Sequence, residues 1–180
     1  MLIFETTRLV VRTLSPDDAP FLLELVNEPE WLAQIGDPGV RDLEGARKYI
    51  HRASTAMIEA HGFGLHAMVT KESRETIGIC GLVRRDSLPG PDLGFALLAR
   101  HQRKGYTFEA AVGTLEHARD TLGLSRLLAI TSPTNRAAAG LLKKLGFRFE
   151  GPLDREEKEK PSDLYSIDLN TIDLTEPSES

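Results

Sequence analysis

Apolar positions recur along the chain at two spacings, and each change of spacing marks a new element. Thr7 to Thr13 is rich in β-branched residues and predicts a first strand. Ser15-Pro16-Asp17-Asp18 then opens a helix whose stripe is Ala19, Leu22, Leu23 and Val26, with Pro29 as its stop. Trp31 to Val40, holding two glycines and a proline, is expected to be a loop. A second helix is predicted from Asp42, with Leu43, Ala46, Ile50, Ala53 and Met57 on one face and Gly62 at its end. From Phe63 to Val83 the spacing changes to a hairpin turning at Lys71 to Glu75.

A loop from Arg84 to Pro91 leads into Asp92 to Leu98, short and apolar like a buried strand. Phe108, Ala111, Val112, Leu115 and Leu122 follow at helical spacing, then a strand from Arg126 to Thr131. A short helix carries Ala138, Leu141, Leu142 and Leu145, and a final strand pair uses Gly146 to Glu150 and Asp163 to Leu169. The order β-α-α-β-β-β-α-β-α-β-β predicts an α+β fold, one mixed and mostly antiparallel sheet flanked by helices. Residues 1–170 form the expected domain and 171–180 a polar tail.

A chain of 180 residues is long enough for one core without disulfide or metal support. Its only cysteine, Cys80, lies in the apolar run Ile77 to Leu82 and reads as a small buried hydrophobe. A net charge of −5 and the lack of a Lys/Arg block argue against nucleic-acid binding. No leader or membrane-spanning run is evident, so a cytoplasmic location is expected. The five histidines form no His-Glu-x-x-His pattern, and no metal is expected. His66 reads as a strand residue facing substrate or core, and His117 as structural. Gly62 to Ala67 matches a dinucleotide fingerprint but follows a helix and enters a strand, the reverse of what that site requires.

The strongest chemical signal is Gln102-Arg103-Lys104-Gly105-Tyr106-Thr107, a basic glycine turn between a predicted strand and a predicted helix. The first N–H groups of a helix have no internal partner and carry the positive end of its dipole, so such a turn suits a phosphate. Further on, Asn135 opens a helix as a cap and Leu145-Gly146-Phe147 closes it.

Together these segments resemble the GCN5-related N-acetyltransferase (GNAT) superfamily, and within it the bacterial RimJ/RimL-like group that acetylates ribosomal-protein N-termini. The resemblance runs from about Glu5 to Leu169. It rests on Glu5-Thr6-Thr7-Arg8-Leu9-Val10-Val11-Arg12, Ile77-Gly78 to Leu82, Leu93-Gly94-Phe95, the Gln102 to Thr107 turn with Glu109-Ala110, and Asn135 through Phe147. It implies the GNAT fold and acetyl-CoA as cosubstrate. The pyrophosphate would lie on Gln102, Arg103, Lys104, Gly105, Tyr106 and Thr107, and pantetheine along the strand at Phe95, Leu97 and Leu98. Asn135, Ala138 and Leu142 are the matching positions on the later helix.

The chain departs from the family pattern at three of these positions. Thr107 stands where the turn usually has glycine or alanine. Ala138 replaces a common serine, and Leu142 a common tyrosine that protonates the thiolate. The expected proton acceptors are Glu157, in the charged segment Asp154 to Lys160, and Asp92, with water relayed through backbone carbonyls as another route. The implied reaction is acetyl transfer to a primary amine, either a protein N-terminus or a small amine, by direct attack in a ternary complex. The other reading is a non-catalytic acyl-CoA-binding or regulatory module on the same fold. The expected assembly is a monomer or homodimer.

Overall fold

The structure, a computed structural model, describes residues 1–153 and 160–172. Glu157 and most of the polar tail lie outside the described residues. One eight-stranded sheet forms the centre. Its strands are β1 (Leu2–Glu5), β2 (Leu9–Thr13), β3 (Leu65–Thr70), β4 (Thr76–Val83), β5 (Asp92–Leu97), β6 (Arg126–Thr131), β7 (Arg148–Leu153) and β8 (Ser162–Asp168). They lie in the order β1-β2-β3-β4-β5-β6-β8-β7. Every neighbouring pair is antiparallel except β5 and β6.

The alternation along the strands feeds two cores. On one face α1 (Ala19–Val26) and α3 (Leu43–Ile50) pack Leu22, Leu25, Ala46 and Ile50 against Leu65, Ala67 and Ile79. On the other, α5 (Tyr106–Asp120) and α6 (Arg136–Lys144) pack Ala110, Ala111, Leu115 and Leu142 against Leu9, Val11, Met68 and Leu82. Burying each such leucine or isoleucine contributes roughly 1.5–3 kcal/mol.

Three elements differ from the sequence pattern. Strand β1 was not predicted; it pairs along β2, and Thr6 makes the turn between them, accepting from the Leu9 N–H at 3.1 Å. Pro29 starts a helix instead of ending one. Its fixed φ and missing N–H suit a first turn, and α2 (Pro29–Gln34) occupies part of the expected loop, with Glu28 extended before it. The second predicted helix is interrupted by a π turn at His51–Thr55 before α4 (Ala56–His61). Gly62 ends that helix as predicted, in a left-handed conformation at φ +79°.

Beneath α5, His66 and Cys80 are register partners across β3 and β4. His66 faces the core. Burial pushes the Cys80 thiol up to about 11, the behaviour of an inert core cysteine. Its Sγ lies 3.4 Å from Thr114 Oγ1. That hydroxyl donates its own proton to the Ala110 carbonyl, so the thiol is the donor to Thr114.

Candidate active site

Two parallel strands that part company make the site. β5 pairs with β4 along its length to Leu97, and β6 pairs with β8 from Arg126 to Thr131, but β5 and β6 share register only at Asp92 and Leu128. Beyond that point each strand follows its outer neighbour, and a V opens between them. The inner edge of β5 therefore presents backbone N–H and C=O groups to a cleft instead of to a strand.

At the open end the chain makes one 3₁₀ turn, Ala99–His101, and reaches the basic glycine turn. Arg103 has φ +61° and Gly105 φ +81°, both left-handed. Alternation of this kind curls successive N–H groups toward one side and forms an anion-binding nest. Helix α5 starts at Tyr106 directly after it, adding its unpartnered N–H groups and the positive end of its dipole.

Phe95, Leu97, Gln102, Arg103, Gly105, Tyr106, Thr107, Asn135 and Ala138 all line one cleft of about 590 Å³. Asn135 is also the cap of α6, its Oδ1 accepting from the Ala138 N–H at 3.1 Å. Four expected positions fall elsewhere. Leu98 lies past the end of β5 and turns into the α1/α3 core, fully buried. Leu142 is buried in the α5/α6 core, because it sits about 100° around α6 from Leu141, which lines the cleft. The Lys104 side chain is exposed on the outside of the turn. Asp92 is buried at the closed end of the V, where Arg85 Nε donates to both its carboxylate oxygens at 3.1 and 3.2 Å.

The roof of the cleft is α2, which the sequence pattern missed. Glu28, Glu30, Trp31 and Gln34 line it. Glu30 accepts from Gln102 Nε2 at 2.8 Å, and Gln34 accepts from the Thr134 hydroxyl at 3.3 Å, so the helix touches both arms of the V. Lys160 Nζ donates to the Leu32 and Ala33 carbonyls at 2.9 Å, binding both at the C-terminal end of α2. The Glu28 carboxylate is raised above its ordinary range, mainly by burial, against the pull of the Ala99 N–H it accepts. The Trp31 indole N–H is buried without a hydrogen-bond partner among the described residues. The one signal for this element was Pro29 itself, followed by helix-forming residues.

A parallel strand pair splayed over a helix-terminal anion nest makes a cleft for an extended, phosphate-bearing ligand, the site of a transferase that uses such a cosubstrate. Residues 8–148 match the acetyltransferase (GNAT) domain model, and the chain belongs to that family of N-acetyltransferases. It is 28% identical over 179 residues to the uncharacterized N-acetyltransferase YoaA of Bacillus subtilis (strain 168), covering 98% of each chain. It is 30% identical to the [ribosomal protein uS5]-alanine N-acetyltransferase of Escherichia coli (strain K12) over 152 residues, 81% of this chain and 78% of the relative. Among solved structures, the ribosomal L7/L12 α-N-protein acetyltransferase RimL in complex with coenzyme A superposes with a TM-score of 0.79. At 18% identity, covering 93% of this chain and 98% of that one, this is a likeness of fold. Among the described residues no helix is long and apolar enough to cross a membrane.

Proposed function

We propose that the cleft takes acetyl-CoA and passes its acetyl group to a primary amine by direct attack in a ternary complex. The observation that carries this reading is the nest at Arg103 and Gly105, opening α5 at the mouth of the β5/β6 gap. The residues fit the cosubstrate. The nest and helix terminus suit a pyrophosphate, and the edge of β5 at Phe95 to Leu97, its Leu97 carbonyl already accepting from Gln102 Nε2 at 3.3 Å, suits the pantetheine amides. A backbone N–H of the same edge would hold the carbonyl oxygen as it gains charge.

The acceptor we favour is a protein α-amine, the group named in the uS5-alanine relative. An α-amine with pKa about 7.7–8.0 is already partly neutral near pH 7, whereas a lysine amine near 10.4 is not. Such a substrate asks little of a base. We assign Asp92 to holding the closed end of the V, and keep Glu157 or a relayed water as the proton acceptor. Ala138 and Leu142 cannot donate a proton. A thiol pKa near 8.5 lets the leaving group depart as thiolate, and positioning of the two reactants supplies much of the rate.

The test is thiol release from acetyl-CoA with peptides beginning in alanine or serine, and with small amines such as polyamines. Release with peptides and not with polyamines supports the protein acceptor; the reverse assigns a small amine. If acetyl-CoA raises the melting temperature but no amine in a broad panel releases thiol, the non-catalytic binding module is the correct reading.

A further inference from the structure

The phosphate turn is held from behind by a residue almost a hundred positions earlier. Arg8, in the connection between β1 and β2, lays its guanidinium against the back of the turn. Nη1 donates to the Lys104 carbonyl at 2.8 Å, and Cζ lies 4.5 Å from the centre of the Tyr106 ring. Nη2 is so near Gly105 that a Cβ built there would stand 3.2 Å from it. The remaining donors lock Arg8 onto α5: its Nε donates to Glu109 Oε2 at 2.6 Å and its backbone N–H to Oε1 at 2.7 Å. The Thr6 hydroxyl adds a third bond to Glu109, at 2.5 Å. Arg8 and Glu109 line a groove on the far side of the turn from the cleft.

The direction of the Lys104 carbonyl matters because a trans peptide points its C=O and N–H to opposite sides, and there are no cis bonds among the described residues. With the Lys104 oxygen drawn back to Arg8, the Gly105 N–H must face the cleft. Gly105, left-handed at φ +81°, supplies one of the two dihedrals that set this plane. Because Glu109 neutralises the guanidinium, the main effect of Arg8 is on geometry.

We infer that Arg8 is a positioning residue for the cosubstrate's pyrophosphate, setting the Lys104–Gly105 peptide plane so that the nest is formed before the ligand arrives. This rests on the reading that the cleft binds acetyl-CoA. It also accounts for the Thr6, Arg8 and Glu109 positions of the opening and turn motifs as one unit. Lysine cannot replace it: an ammonium lacks the planar fork that reaches Lys104 and Glu109 together while stacking on Tyr106.

The experiment compares two acetyl donors, acetyl-CoA and S-acetylpantetheine, which lacks the pyrophosphate, in wild type, Arg8→Lys, Arg8→Ala and Glu109→Gln. Loss of a charge-assisted hydrogen bond is expected to raise KM for acetyl-CoA about tenfold or more in both Arg8 variants, with kcat little changed. The kcat/KM for S-acetylpantetheine is expected to stay within about twofold of wild type, since no phosphate is bound there. A parallel fall with both donors would make Arg8 merely structural, and full activity of Arg8→Lys would make it a charge; either overturns the inference. Should Arg8→Ala fail to fold, Arg8→Lys and Glu109→Gln carry the same comparison. If wild type shows no saturable binding of coenzyme A, the acetyl-CoA reading itself fails. Saturable binding equal in wild type and variants defeats the inference alone.

Discussion

Asp92 and Leu128 face each other at the one position where β5 and β6 keep register, and the cleft begins where that pairing ends. Asp92 is buried there against Arg85. Asp92→Asn is expected to lower stability by about 1–2 kcal/mol, because the half-exposed Arg85 recovers water when its partner is lost. Urea denaturation measures this. The kcat of the folded fraction should be nearly unchanged; a fall of about 100-fold at full stability would return Asp92 to the role of proton acceptor.

Gly105 adopts φ +81° with its missing Cβ pointing at Arg8 Nη2. Gly105→Ala adds a left-handed non-glycine residue, at a cost of roughly 1–2 kcal/mol, and pushes the arginine away. Affinity for coenzyme A, measured by calorimetry, should fall about fivefold or more. Unchanged affinity would show that the turn tolerates a different backbone.

Glu30 holds Gln102 while placing a carboxylate at the mouth of a phosphate-binding cleft. Glu30→Gln removes the charge and keeps the shape. Coenzyme A is expected to bind about two- to fivefold more tightly, with the gain shrinking at high ionic strength. Weaker binding would mean that the order Glu30 imposes on Gln102 outweighs the repulsion.

His66 is buried beneath α5, and burial, with smaller contributions from His117 and the N-terminal ammonium, depresses its pKa to about 4. The unfolded chain, near 6.5, binds a proton that the folded chain refuses. Stability therefore rises with pH between about 4 and 6.5, and is lost as pH falls through that window, by about 3 kcal/mol in total. His66→Gln should flatten the melting-temperature profile between pH 4 and 6.5 relative to wild type. An equally steep profile would trace the acid sensitivity of this window to other groups, while Glu109 acts below it. Burial is the largest single influence on that carboxylate and pulls upward, yet hydrogen bonds from Thr6 and Arg8 hold it low, so its contribution is lost only as pH falls below the ordinary carboxylate range.

Much of the site was legible because its parts are local. The left-handed turn, the helix it opens and the Asn135 cap each need only a few neighbouring residues, so glycine, asparagine and apolar spacing announce them. Pro29 misled because proline both ends helices and begins them, and whether Trp31 would be buried depends on a sheet far away in sequence. Leu142 was matched to a cofactor position by its place in the motif, yet helical rotation turned it to the core.

The sequence by itself determined most of the elements, the mixed fold and the phosphate turn, since these follow from backbone preference and periodic burial. Only the tertiary structure decided where β5 and β6 separate, that α2 roofs the gap, and that Arg8 reaches the back of the turn. Those relations join residues from about 35 to 100 positions apart. Strand register and side-chain reach govern them, and no local pattern records either.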